Sequence, residues 1–287
     1  MKNTAASMRA RLLTWAKEHG IQFQYASMLY MQEGILSRLA ASEHSENLIL
    51  KGGFLIFTYA GSAGRTTKDI DFLGHNIPND ENAIAALIGR IVGIMQDDGL
   101  IFNVDSIRTE RITEGAEYHG VRVLFECQLG SIKNRLQVDI GFGDAVTPKP
   151  ARIPVVGMLR RPTIEVVAYP LATVIAEKFE IMIALGSINS RMKDFFDVAY
   201  LLDHYVIPES ELKAALIATF KRRQTNLPDV PIVFSTAFES SRQVQTLWDG
   251  FLKRTGLGEI DFSLVVETIR KRLKPLYMEI HDLNSKQ

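Results

Sequence analysis

Cysteine is almost absent: Cys127 stands alone in 287 residues. One thiol cannot build a disulfide framework or a cysteine-rich zinc site, so a reducing, cytoplasmic setting is expected. Long uncharged apolar runs are missing as well. Nothing approaches the ~20 residues that span a bilayer, and the opening MKNTAASMRARLLTWAKEHG is amphipathic where a secretion signal would be continuously apolar. No membrane partner is expected. Nor is there an excess of charge of either sign: Lys plus Arg and Asp plus Glu number 33 each. A nucleic-acid partner would therefore have to be held by a local basic patch, not by the overall field. The histidines (His19, His44, His75, His119, His204, His281) are scattered without ligand-like spacing, and no Ser-His-Asp arrangement can be argued from them. Repeats and low-complexity tracts are lacking too. The composition, 46% apolar and 23% charged, is that of a globular chain long enough for one large domain or two modest ones.

Two textures follow one another along the chain. Met8 to about Ser42 reads as two helices; Leu12, Trp15 and Ala16 share a face of the first. Tyr25, Met28, Leu29, Gln32, Ile35, Leu36 and Leu39 share one of the second, with Gln32 the polar intruder. LILKGG, KDIDFLG, LIFNVDSIRTERI, VRVLFECQLG and RLQVDIGFGD are short alternating or β-branched runs that predict strands, with a helix capped by Asn79 or Asp80 among them. Four prolines in TPKPARIPVVGMLRRPTIEV then mark a connector. Beyond it Leu171–Leu185, Met192–Tyr205, Glu209–Arg223, Val244–Thr255 and Phe262 to about Leu273 carry helical spacing, the last expected to stop before Pro275.

The chemistry concentrates in RTTKDIDF and RLQVDIGFGD. On a strand, alternate residues face one side, so Arg65, Thr67, Asp69 and Asp71 share a face while Ile70 and Phe72 point away. In the second run Val138, Ile140 and Phe142 can fill a core and leave Asp139 on the opposite face. If the strands are neighbours, three carboxylates converge, and they repel unless a cation neutralises them. Oxygen-only ligands select a hard ion such as Mg²⁺, with Mn²⁺ as a substitute, and two such ions can serve an in-line displacement. The rival reading, in which each aspartate caps a strand or pairs with a surface lysine, leaves the expense of semi-buried charge among apolar neighbours unexplained. Upstream, a strand running into Gly52-Gly53 and then FLIFTYA places a glycine turn at a helix N-terminus, where backbone N–H groups can hold phosphate. Gly61-Ser62 suits the other end of that helix, as its stop and the turn into the next strand. Lys51 adjoins the turn and could contact phosphate or be a solvated strand-end charge.

In this order, LKGGFLIF, DIDF and a downstream Asp139 resemble the nucleotidyltransferase superfamily of polymerase-β type. Within it the chain is similar to the AbiEii/AbiGii toxin family, whose members include phage-abortive-infection toxins and the mycobacterial MenT nucleotidyltransferases. MLYMQEGILSRLAASEHSENLILKGG resembles the approach to the glycine turn, LQVDIGFGD the third-carboxylate strand, and AEKFEIMIALGSINSRMKDFFDVAYLL the later lysine and aspartate motifs. The resemblance implies an α+β fold, with a nucleotidyltransferase core of mixed sheet and N-terminal helices over residues 1–150. A C-terminal helical domain over 151–287 would complete the active-site cleft.

It also implies Mg²⁺-dependent transfer of a nucleoside monophosphate from an NTP to an acceptor hydroxyl, at a tRNA 3′ end, by a toxin restrained by a cognate antitoxin. Asp69, Asp71 and Asp139 would hold metal, Gly52 and Gly53 would cradle phosphate, and Arg65, Thr67 and Lys178 would orient or neutralise it. Lys178 lies in a largely apolar helix, and Arg191, Asp194 and Asp197 are spaced to share one helical face; the resemblance favours Asp194 over Asp197 for the late motif. One departure is that Phe54 follows Gly53 where some relatives carry a hydroxyl, which puts self-modification there in doubt. The basic clusters at Arg160-Arg161, Lys221-Arg222-Arg223 and Arg270-Lys271-Arg272 with Lys274 are either solvated faces or, together, a track for a polynucleotide. The rival functions are transfer to a protein or small molecule, and a non-enzymatic nucleotide-binding module.

Overall fold

The computed structural model describes residues 2–61, 64–114 and 118–285. They divide into two compact units: one runs to Asp144 and takes back Pro150–Tyr169, and the other holds Ala145–Lys149 and Pro170 onward.

In the first unit, helices α1 (Lys2–Glu18) and α2 (Phe23–Ala40) precede β1 (Leu48–Lys51), α3 (Gly52–Ala60), β2 (Asp69–Gly74) and α4 (Glu81–Val92). The Asp80 carboxylate caps α4 by accepting from the Ala83 N–H at 2.9 Å. Three long strands follow, β3 (Leu100–Glu114), β4 (Tyr118–Leu129) and β5 (Ile132–Phe142). The expected strands and helices of this half all form. The expected proline-marked connector does not: it supplies β6 (Ala151–Val155) and β7 (Ile164–Ala168). The reason is position. The sheet order is β3-β4-β5-β2-β1-β7-β6, so β6 is an edge strand and Pro154 removes no donor that the sheet requires. Pairing is antiparallel except for β1 with β7 and β2 with β5, a mixed sheet as expected.

The α2 helix lies against β5 and β7, and α4 against β3 and β4. Ile35, Leu36, Leu39, Ile84, Ile88 and Ile91 are buried with Ile70, Phe72, Val138 and Ile140, which together form the core of this unit. Ionic ties fasten the β6–β7 link to α2. The buried Glu33 accepts the Met158 N–H at 2.5 Å and pairs with Arg161 at 3.2 Å, while Asp98 pairs with both Arg161 and Arg38. Burial pushes the Glu33 carboxyl up to about 7, against the opposing pull of the Met158 N–H and Arg161. Gln32, the intruder on α2, is buried, and neither of its amide atoms has a hydrogen-bond partner among the described residues.

The second unit is helical: α5 (Leu171–Leu185), α6 (Met192–His204), α7 (Glu209–Arg223), the short α8 (Thr236–Glu239), α9 (Arg242–Thr255) and α10 (Phe262–Asn284). Contrary to expectation, α10 runs through Pro275. An interior proline costs about 3 kcal/mol, but Leu276, Tyr277 and Ile280 beyond it are all buried, each worth about 1.5–3 kcal/mol. The Tyr277 ring meets Phe179, Phe220 and Phe234 edge-on, and its hydroxyl donates to the Pro228 carbonyl at 2.6 Å. Packing outweighs the lost hydrogen bond. No helix among the described residues is long and apolar enough to cross a membrane.

Candidate active site

Strand register assembles the site. The β2 and β5 strands are parallel neighbours, with Asp71 opposite Asp139 and Asp69 opposite Gln137. At the Asp71 level one row crosses the sheet: Glu110 on β3, Arg122 on β4, Asp139 on β5, Asp71 on β2 and Lys51 on β1. Residues paired across strands face the same side, so two carboxylates stand side by side, bracketed by two cations. Asp69 is two places along, and one oxygen from each of the three aspartates lies within 4.8 Å of the others. At 4.8 Å each pair of carboxylates repels by on the order of 3 kcal/mol at an effective dielectric near 20. Such a cluster needs positive charge and rigid support.

Each carboxylate has its own support. Asp139 accepts a fork from Arg122, Nε to Oδ1 at 2.8 Å and Nη2 to Oδ2 at 2.9 Å, and Oδ2 also accepts from Gln137 at 3.0 Å. The hydrogen bonds to Asp139 push the guanidinium above its already high value; burial opposes this, and the charges of Asp139, Glu110 and Asp69 add to it. Asp69 accepts the Thr67 hydroxyl at 2.7 Å. Asp71 abuts the glycine turn: Gly52 has φ of +67°, and a Cβ on it would fall 2.0 Å from Asp71 Oδ2. A Cβ on Gly53 would meet the Thr67 hydroxyl at 2.8 Å and the Arg65 guanidinium at 3.2 Å. Both glycines are dictated by close approach, the first also by its left-handed φ. Thus the first turn of α3 is pressed onto the carboxylate strand.

Arg65 and Thr67 reach the cluster without lying on the strand, which begins only at Asp69. They are nonetheless buried beside Gly53. Lys51 is not a solvated strand-end charge: its ammonium lies 2.5 Å from Asp144 Oδ2 and 5.1 Å from the Tyr169 ring centre, and the Tyr169 hydroxyl donates to the same oxygen at 3.1 Å. Gly61 stops α3 with φ of +57°, as expected, while Ser62 lies outside the described residues. Three half-buried carboxylates offering only oxygen suit a hard divalent cation, so the residues present fit a metal of that class.

Lys178 and Asp194 belong to the second unit and form a cluster within it. The Lys178 ammonium sits 2.5 Å from Asp194 Oδ1 and 2.9 Å from Asp197 Oδ2, and Arg191 Nε donates to Asp194 Oδ2 at 2.6 Å. Both aspartates are fully buried. Burial works to raise the Asp194 carboxyl, but the Lys178 and Arg191 charges and hydrogen bonds overcome it and lower it to about 2. Asp197 is therefore as much a Lys178 partner as Asp194 is. Cys127 is buried on β4, and desolvation raises its thiol to about 12, which fits a core residue rather than a nucleophile.

Sequence reading missed Arg122, Gln137, Asp144 and Tyr169. Gln137 was within reach, since it stands two residues before Asp139 and so shares its face. Arg122 is a charge between inward Val121 and Val123, but its link to Asp139 depends on register, which alternation alone does not give.

No curated protein matches the chain. Two solved structures share its fold, both from Helicobacter pylori: a provisionally assigned nucleotidyltransferase and JHP933. Each is 16% identical with a TM-score of 0.54, covering 92% and 93% of this chain and 99% of its own. The family model for the nucleotidyl transferase AbiEii toxin of type IV toxin–antitoxin systems matches residues 34–273. On the strength of that span, which takes in both glycines, all three aspartates and the Lys178 cluster, the chain belongs to the AbiEii nucleotidyltransferase toxin family.

Proposed function

We propose that the chain transfers a nucleoside monophosphate from an NTP to an acceptor hydroxyl, at the 3′ end of a tRNA, with Mg²⁺ as the working cation and pyrophosphate as the leaving group. The observation that carries this reading is the pairing of Asp71 with Asp139 across adjacent strands, with Asp69 on the same face and the first turn of α3 against Asp71. Asp69, Asp71 and Asp139 would hold Mg²⁺, which when bound supplies charge neutralisation and Lewis-acid polarisation of the transferring phosphoryl group.

The remaining roles belong to the chain. Gly52 and Gly53 begin α3, where unpaired N–H groups and the helix dipole favour phosphate oxygens. Arg65 adds positive charge beside Gly53, and Thr67 aims the Asp69 carboxylate by donating to it. Lys51 contributes positive charge next to Asp71 from a position fixed by Asp144. Lys178, held by Asp194, would neutralise phosphate or the attacking group, as the family resemblance implies. Membership of a toxin–antitoxin family implies an NTP substrate and a cognate antitoxin.

The test is incubation with Mg²⁺, each α-radiolabelled NTP in turn and total tRNA, beside Asp71→Ala and Lys178→Ala. Label on tRNA from the wild-type protein, lost in Asp71→Ala, is expected, and it names the nucleotide. Label on protein instead, or none while NTP still binds, would overturn the tRNA acceptor.

A further inference from the structure

Each acid of the proposed metal site is held differently, and the holding of Asp139 has a consequence for the reaction. A carboxylate offers about four acceptor positions. Arg122 takes one on each oxygen and Gln137 takes a second on Oδ2. Among the described residues, the oxygen with a position to spare is Oδ1. Arg122 is itself braced from the other side, its Nη1 standing 3.6 Å from Glu110 Oε1 on β3. The row Glu110–Arg122–Asp139–Asp71 is thus a chain of alternating supports ending at the pair of carboxylates. A planar guanidinium on both oxygens of a carboxylate fixes orientation as well as charge, which an ammonium cannot do.

We infer that Arg122 is a positioning residue for the nucleotidyl transfer: it locks Asp139 in one orientation and leaves Oδ1 as the oxygen it presents toward Asp71 and the divalent cation. The inference rests on the metal-site reading above and deepens it. Arg122 touches neither nucleotide nor acceptor in this scheme; it acts through Asp139. Its neighbour Glu110 acts one step further out and matters less, because its side chain is half exposed and its pairing is longer.

The test compares wild type, Arg122→Ala, Arg122→Lys and Asp139→Asn by Mn²⁺ titration followed by electron paramagnetic resonance, and by kcat and KM for the NTP in the labelled-transfer assay. Partners that orient metal ligands typically account for about 10- to 100-fold in metal affinity or activity. Arg122→Ala is accordingly expected to weaken Mn²⁺ binding about tenfold and to lower kcat by about 10- to 100-fold, with KM for the NTP within about threefold of wild type. Free guanidinium ion should restore a part of both losses, and ammonium ion should not. Arg122→Lys keeps the charge and lacks the fork, so it should stay near the Ala variant, and its thermal melt shows whether the fold is retained. Mn²⁺ affinity and kcat in both Arg122 variants that match wild type would overturn the inference alone. A wild-type protein that binds no Mn²⁺ would overturn the site reading and the inference with it.

Discussion

Single atoms decide two matters in this protein. The first is Gly52. Its φ of +67° and the 2.0 Å that would separate an added Cβ from Asp71 Oδ2 leave no room for a side chain. In Gly52→Ala either α3 or Asp71 must move, and a misplacement near 1 Å costs about 100-fold in a positioned reaction. Transfer activity should fall by about that factor while the far-ultraviolet dichroism stays that of wild type; activity within a few-fold would show that the turn does not set Asp71. The second is Glu33. Its folded value of about 7 lies above the ordinary 4.5, so the folded state retains a proton that the unfolded chain releases. That contribution to stability is whole below pH 4.5 and is lost as the pH rises through about 7. Glu33→Gln cannot ionise, so its thermal midpoint should fall less between pH 5 and 8 than that of wild type; equal falls would place the pH dependence elsewhere. Much at this scale was legible beforehand. The three aspartates stand out because apolar neighbours make their charge costly, and the glycines because they fall between a strand and a helix ahead of the acids. Arg122 and Asp144 did not stand out, because ion-pair partners on other strands carry no local signature.

Elements were the most legible level where one period ran unbroken. In β2 and β5 strict alternation separates Ile70, Phe72, Val138 and Ile140 from the acids, and the structure follows it. Legibility failed where proline was read without its tertiary setting. The β6 strand tolerates Pro154 because it is an edge, and α10 tolerates Pro275 because buried side chains continue on its far side. Neither fact is local. The α10 helix also offers a measurement: Pro275→Ala restores a donor and removes a ring clash at one helix position, leaving Leu273, Leu276, Tyr277 and Ile280 in place. The unfolding free energy from chemical denaturation should rise, by on the order of 1–3 kcal/mol if little of the proline cost has been relaxed by a bend. An unchanged value would mean that the helix has already relaxed around the exposed ring, and a lower one that the ring's restraint on the unfolded chain outweighs its cost in the helix.

The whole molecule carries no net charge, so any polynucleotide must be held by what remains of its basic clusters once internal pairing is counted. Several members are spoken for. Arg161 pairs with Glu33 and Asp98, Arg223 with Glu180 at 2.7 Å, and Arg270 with Glu239 at 2.6 Å and Glu267 at 2.9 Å. Lys221, Lys271, Arg272 and Lys274 are exposed, and Lys271 and Lys274 stand three apart on α10, where they share a face. If the acceptor is a tRNA, binding should weaken with salt by about 0.7 in the log–log slope for each single-stranded phosphate neutralised. Replacing Lys271 and Lys274 together by alanine should then reduce that slope by about 1.4 and weaken all tRNAs alike, since phosphate contacts carry no sequence information. The same pair should leave NTP binding unchanged. A wild-type slope near zero would argue for an acceptor that is not a polynucleotide, because contact with a phosphate backbone in water always releases counterions. An undiminished slope in the double variant would move the RNA to another face of the molecule, with Lys221 on α7 the next residue to replace.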